Sequence, residues 1–138
     1  NGLLSTGKST PWSVHAMEHE LSAFYDITHG IGLAILTPRF LNHILNDDTV
    51  DMIRDFGINV FGIKASDDKF NDAKKAIARL HMFFEDDMNI PMTLGEVGID
   101  DEKLEVMAEA AARHAGGSIK GVIELKKEDV LEIYKASL

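Results

Sequence analysis

The sequence predicts an all-α fold, a bundle of helices around one core. Apolar residues recur at intervals of three and four along most of the chain, as they do in helices with one buried face. Good N-cap residues precede several of these runs, and glycine, asparagine or proline follows them. Two segments, 93–97 and 121–125, hint at extended structure, but neither alternates convincingly between apolar and polar residues.

The composition narrows the class of protein. A length of 138 residues suits one domain, and 45% hydrophobic residues are enough for a single core. The net charge of −9 argues against nucleic acid or an anionic membrane as a partner, because clustered lysine and arginine bind both. We expect no membrane span and no signal peptide, since the longest apolar run covers only 31–36. The lack of cysteine excludes disulfides and thiolate chemistry and is compatible with a cytoplasmic location.

The first helix is predicted to start near Pro11 or Trp12, because Thr10 is a good N-cap and proline is favoured at the first helical position. One apolar arc of this helix would face the core. It holds Val14, Met17, Leu21, Phe24 and Tyr25. A second, polar stripe places neighbouring side chains roughly 5–6 Å apart at Cβ, close enough for two histidines to share a ligand or a water. It holds His15, His19, Ser22 and Asp26.

A second helix is predicted to begin close to His29. In one straight helix, His15 and His29 would lie about 21 Å apart, because fourteen residues separate them and each adds 1.5 Å. They can share a site only if the chain turns between them, and Thr28 is a good N-cap after such a turn. Glycines at 30 and 32 would let the two helix axes approach closely. The corner would gather three histidines and an aspartate, which favours a metal or catalytic site over a solvated stripe.

The middle of the chain contains three further helical signals. Pro38 predicts a kink or a restart in the second helix. A helix is expected at 49–61, and a longer one is expected from the acidic cap at 66–68 to about Met88. Asn89 can adopt the left-handed conformation that ends this longer helix.

Two more helices complete the prediction. One is capped by Asp100 or Asp101 and runs to His114, and the last covers 128–136. Three histidines outside the first corner are isolated and are interpreted as ordinary surface or core residues. They are His43, His81 and His114.

The stretch from Trp12 to Pro38 closely resembles the C-terminal signature of the iron-containing alcohol dehydrogenases, and within that family the NADH-dependent butanol dehydrogenases. The specific pattern is a pair of histidines fourteen apart, a third histidine four after the first, and a glycine after the last. The resemblance extends along the whole chain. Its other segments are 1–5, 45–48, 57–60, 95–99 and 128–134.

The resemblance implies a two-domain dehydrogenase. Family members have an N-terminal α/β domain that binds the dinucleotide and an all-helical C-terminal domain, with metal and substrate in the cleft between them. Residues 1–138 would be the single C-terminal domain of such a protein, and the chain alone would be inactive. The lack of an initial methionine also fits a processed or truncated product. The N-terminal domain of the same protein would be its partner, and a homo-oligomer remains open.

The resemblance also implies roles for particular residues. Four ligands hold Fe²⁺, or sometimes Zn²⁺, and the last two match His15 and His29. The histidine that matches His19 is not a ligand; it lines the pocket near the nicotinamide, where it could relay a proton or orient the substrate. Trp12 would lie close to the substrate cleft. The implied reaction exchanges hydride between NADH or NADPH and the aldehyde of a primary alcohol such as butanol.

Two other interpretations use the same residues. His15, Glu18 and His19 fit H-x-x-E-H, the inverted zincin motif of zinc peptidases, in which the glutamate is the general base. That interpretation leaves His29 without a role and requires a third ligand downstream. The other interpretation is a non-catalytic helical interaction domain whose histidines only pack.

Overall fold

The structure is a computed structural model that describes residue 6 and residues 12–138. Within these residues it contains six α-helices and no strand, so the predicted all-α fold is confirmed. The helices are α1 Ser13–Tyr25, α2 His29–His43, α3 Val50–Phe61, α4 Lys69–Met82, α5 Leu104–His114 and α6 Lys127–Lys135. None of them is long and apolar enough to cross a membrane. The predicted cap at Thr10 and Pro11 lies outside the described residues, and α1 begins directly after Trp12.

One apolar core receives side chains from all six helices. Helix α1 packs against α2 and α5, α3 against α4, and α6 against both α5 and α2. The last helix is tied to the first by a buried hydrogen bond, in which Tyr134 Oη donates to the carbonyl oxygen of Met17 at 2.7 Å. The two helices that carry the histidine motif, α1 and α2, therefore pack against helices from the C-terminal half of the chain.

Helix α2 runs through Pro38 to His43, so the predicted restart at this proline is wrong. Proline cannot donate a hydrogen bond to the preceding turn, which normally costs a helix interior about 3 kcal/mol. Here Pro38 is buried, and the apolar face of α2 continues on both sides of it. Thr37 Oγ1 donates to the carbonyl of Leu33 at 2.6 Å, which satisfies one neighbouring acceptor. Packing against the core outweighs the lost bond.

Helix α4 begins at its predicted cap but ends differently from the prediction. Asp68 accepts a hydrogen bond from the N–H of Asn71 at 2.9 Å, as its predicted capping role requires. The α-helix then stops at Met82 and continues as a π-helical turn, Phe83–Asp87, instead of reaching Met88 as one α-helix. Asn89 has φ of 54°, which confirms its predicted left-handed conformation.

Three predictions in the C-terminal half need adjustment. The N-cap of α5 is Lys103, not the predicted Asp100 or Asp101; Asp100 instead accepts the N–H of Glu102 at 3.1 Å. The first extended segment contains a 3₁₀ turn, Gly95–Val97, and the second forms only an isolated bridge between Ile119 and Leu125. Helix α6 begins and ends one residue earlier than predicted.

Candidate metal centre

A sharp corner between α1 and α2 builds the candidate site. Helix α1 ends at Tyr25, and Asp26 adopts the left-handed conformation with φ of 52°, its N–H donating to the carbonyl of Ser22 at 3.0 Å. Thr28 then occupies the N-cap of α2 with an extended backbone, although its side chain makes no capping bond. The predicted break is therefore confirmed. Asp26 forms the corner itself and is exposed.

The corner brings the imidazole ring of His29 on α2 next to the two on α1. We refer to His15, His19 and His29 as the histidine cluster. The ring centroids of His15 and His29 are 5.2 Å apart, and those of His19 and His29 are 5.5 Å apart. The widest separation, 6.2 Å, is between His15 and His19, the pair adjacent on α1. The three rings therefore form a compact triangle, and within it His29 is the ring nearest to each of the other two.

The carboxylate that joins the cluster is Glu18, not the predicted Asp26. Among the described residues, ligand atoms of Glu18, His19 and His29 all lie within 4.8 Å of one another. Glu18 is fully buried on the inner side of α1, whereas His19 and His29 are exposed. Helical spacing predicts the contact between Glu18 and Ser22, four residues apart, but not the contact of Glu18 with His29 on the next helix.

The two carboxylate oxygens of Glu18 contact different residues. Oε1 accepts a hydrogen bond from Ser22 Oγ at 2.5 Å. Oε2 contacts Nδ1 of His29 and has no other polar partner among the described residues. Gly32 on α2 provides the room, because a Cβ at this position would lie 2.7 Å from Cγ of Glu18. The predicted close approach therefore holds at Gly32 but not at Gly30, where a Cβ would meet nothing within 4 Å.

The electrostatics of the cluster favour a neutral imidazole at His15. Burial lowers the pKa of His15, and His29 and His19 lower it further, while Glu18 acts in the opposite direction. A neutral imidazole has a free nitrogen lone pair, which is the form that binds metal. Imidazoles beside a carboxylate are a donor set that suits Fe²⁺ or Zn²⁺. The residues at this corner therefore fit a divalent metal.

Trp12 lies at the edge of the cluster. Its ring meets that of His15 edge to face, with centroids 4.6 Å apart and planes at 86°. Beside them an open cavity of about 350 Å³ is lined partly by Leu33, Thr37 and Phe40. Its walls are mainly apolar, so it could receive a short aliphatic chain. A larger cavity, about 770 Å³, lies away from the cluster between α2, α4 and α6.

The geometry disfavours the zinc peptidase interpretation. In H-x-x-E-H the glutamate must reach a water on a metal held by the two flanking histidines. Glu18 is instead buried against Ser22 and His29, and His15 and His19 are the most separated pair of the cluster. The three remaining histidines each contact a charged partner outside the cluster. These contacts are His43 to Asp129, His81 to Glu85 and His114 to Glu20.

Comparison with known proteins extends these observations to the whole chain. Residues 3–138 match the family model described as Fe-containing alcohol dehydrogenase family, C-terminal. The chain is 53% identical over 137 residues to NADH-dependent butanol dehydrogenase A of Clostridium acetobutylicum, and 46% identical over 138 residues to butanol dehydrogenase B of the same organism. It spans 35% of the length of each of these relatives.

The fold is similar to solved structures as well. The crystal structure of NADH-dependent butanol dehydrogenase A from Thermotoga maritima superposes with a TM-score of 0.81 at 27% identity. The match covers 92% of this chain and 33% of that one. The helical bundle and its corner therefore correspond to about a third of a longer protein in both comparisons.

Proposed function

Because this chain belongs to the Fe-containing alcohol dehydrogenase family, as its C-terminal part, we propose that the longer protein interconverts a primary alcohol and its aldehyde with a nicotinamide cofactor. The observation that carries the proposal is the convergence of the three imidazole rings at the α1–α2 corner. NADH and a short alcohol such as butanol are the cofactor and substrate that the names of the relatives suggest. NADPH is the alternative cofactor.

In this proposal, residues 1–138 form one helical domain that supplies half of a metal site. His15 and His29 are the two ligands from this chain, and an N-terminal dinucleotide-binding domain supplies the others. Fe²⁺ is the expected metal, with Zn²⁺ as the alternative. When bound, the metal supplies Lewis-acid stabilisation of the carbonyl or alkoxide oxygen. The chain alone would not reduce butanal, because the nicotinamide pocket belongs to the other domain.

The remaining residues of the site hold the substrate and move its proton. Trp12 and the apolar cavity beside it would take the aliphatic chain and exclude water from the reacting carbon. His19 is exposed on the open side of the cluster, next to His29, where its imidazole could give a proton to the product alkoxide or orient the substrate hydroxyl. A cysteine-free chain is compatible with a cytoplasmic enzyme, which is part of the same proposal.

The test uses the full-length protein, purified without oxygen, with bound metal and NADH-dependent butanal reduction both measured. His15→Ala and His29→Ala should each lose metal and activity together. His19→Ala should keep its metal and lose about 10²–10⁴-fold in rate, the usual contribution of a general acid or base. His43→Ala is the matched control, since His43 lies on α2 but pairs with Asp129 away from the cluster. Unchanged metal content in both ligand variants would favour the non-catalytic interaction domain.

A further inference from the structure

Glu18 is a buried carboxylate to which the proposed reaction assigns no role. It is completely buried in the interface between α1 and α2. A buried carboxylate is costly unless hydrogen bonds or charges compensate it, so the partners of each oxygen matter. Ser22 compensates only one oxygen, Oε1. The other oxygen, Oε2, meets Nδ1 of His29.

The contact between Glu18 and His29 can determine which nitrogen of the His29 ring carries the proton. An imidazole has two nitrogens, and a hydrogen bond at one of them decides which carries the proton and which offers a lone pair. Glu18 occupies the Nδ1 side of His29. With a proton on Nδ1, the lone pair is on Nε2, which is the nitrogen left for a ligand bond. Histidines that bind metal commonly donate their other N–H to a carboxylate in this way.

We propose that Glu18 is a positioning residue that accepts the Nδ1–H hydrogen bond of His29 and so fixes the tautomer and orientation in which His29 binds metal through Nε2. The inference rests on the proposed function, because it takes His29 as a ligand. Glu18 also accepts the hydrogen bond of Ser22 Oγ, and its side chain fills the space that a Cβ at position 32 would need. The position of the carboxylate beside His29 therefore depends on the packing of α1 against α2.

A second buried glutamate of α1, which also contacts a histidine, provides a matched comparison. Glu20 is also buried, and its Oε1 lies 2.7 Å from Nδ1 of His114. His114 is on α5, and its side chain is 63% exposed outside the histidine cluster. The two glutamates therefore share their helix, their burial and a histidine partner. They differ in whether that histidine is a proposed metal ligand.

The experiment measures Co²⁺ affinity and the Co²⁺ ligand-field absorption spectrum of the full-length protein, together with thermal unfolding of the metal-free form. Glu18→Gln keeps the shape of the side chain and removes its charge. We expect it to weaken Co²⁺ binding by about 10–100-fold, the usual effect of losing a partner that orients a ligand. The spectrum at saturation should keep its shape, because the ligands themselves are unchanged. Glu20→Gln should bind Co²⁺ as the wild type does.

Several results would overturn the inference. Wild-type affinity in Glu18→Gln would remove the positioning role, and a spectrum that shows a changed ligand set would make Glu18 a direct ligand instead. If Glu18→Gln does not fold, Ser22→Ala tests the same point by removing the hydrogen bond to the carboxylate, with a loss of about tenfold in Co²⁺ affinity expected. Wild-type affinity in Ser22→Ala would then count against the inference. Failure of the proposed function would give a different result: His29→Ala itself would then bind Co²⁺ as the wild type does.

Discussion

Gly32 on α2 lies directly against Glu18 on α1, so closely that a Cβ at position 32 would be 2.7 Å from Cγ and 2.9 Å from Oε1 of that glutamate. Only a residue without a side chain fits there while the glutamate keeps its place. The close approach of the two helices is therefore coupled to the carboxylate that contacts His29. A change in the packing of the corner should alter both stability and the histidine cluster.

Gly32→Ala is expected to destabilise the protein by about 1–3 kcal/mol, the usual cost of forcing extra atoms into a packed interface. Gly30→Ala is the control on the same helix, because a Cβ at position 30 meets nothing within 4 Å. It should be neutral or stabilise by up to about 1 kcal/mol, since alanine is the better helix former. Urea unfolding measures both, and equal stability of the two variants would contradict the packing argument.

A second close approach joins α3 to α4. A Cβ at Gly57 would lie only 2.4 Å from Cβ of Ala76, so Gly57→Ala should cost about 1–3 kcal/mol. Removing the opposing methyl group tests the cause. In the double variant Gly57→Ala with Ala76→Gly, the cost should be smaller than the sum of the two single costs, and a double-mutant cycle in urea measures the coupling. Strictly additive costs would mean that the contact is not the reason.

The hydrogen bond between α6 and α1 should contribute to the stability of the site. Tyr134→Phe removes the donor and leaves the buried carbonyl of Met17 without it, which is expected to cost about 1–3 kcal/mol. Tyr25→Phe is a fitting control, because the hydroxyl of Tyr25 is buried without a hydrogen-bond partner in the described part of the chain. Thermal unfolding should show a lower Tm for Tyr134→Phe alone. A similar loss in both variants would show that the hydrogen bond to Met17 is not the reason for it.

The sequence predicted the structure correctly where the conformation depends on interactions between residues close together in the chain. Asp68 and Asn89 were predicted correctly because a cap and a left-handed residue depend on the few residues around them. The corner before His29 was predicted for a similar reason. The restart predicted at Pro38 was wrong, because burial of α2 against the rest of the core outweighs a local helix breaker.

The part of the candidate site that sequence reasoning missed depends on contacts between helices. The sequence indicates Glu18 only as a possible peptidase base, because its spacing from two histidines on α1 is visible there. Its actual partner, His29, lies on the next helix, and the space for the carboxylate comes from Gly32. Neither relationship follows from helical periodicity, because that periodicity does not give the angle or the rotation of one helix against another.

Asp72 is a buried carboxylate that anchors the start of α4. It accepts hydrogen bonds from the N–H of Ser66 at 2.7 Å and from the Ser66 hydroxyl at 2.8 Å. Arg54 Nε lies 3.3 Å away, and Lys75 Nζ lies 3.8 Å away. The hydrogen bonds from Ser66, first from its backbone and then from its side chain, lower the pKa of Asp72, and Arg54 and Lys75 lower it further against the opposing effect of burial.

A lowered pKa in the folded state means that ionised Asp72 stabilises the fold at pH values above its ordinary pKa of 3.8, and that this stabilisation is lost as the pH falls through the lower, folded value. Asp72→Asn should therefore be clearly less stable than the wild type at pH 7, and the difference should shrink below about pH 4. Urea midpoints measured from pH 7 to pH 2.5 give this difference directly. Asp51→Asn is the control, because Asp51 forms an exposed pair with Lys69 at 3.4 Å, and such pairs contribute little. A difference for Asp72→Asn that stays constant across the whole range would show that its cost comes from altered packing and not from the lost charge.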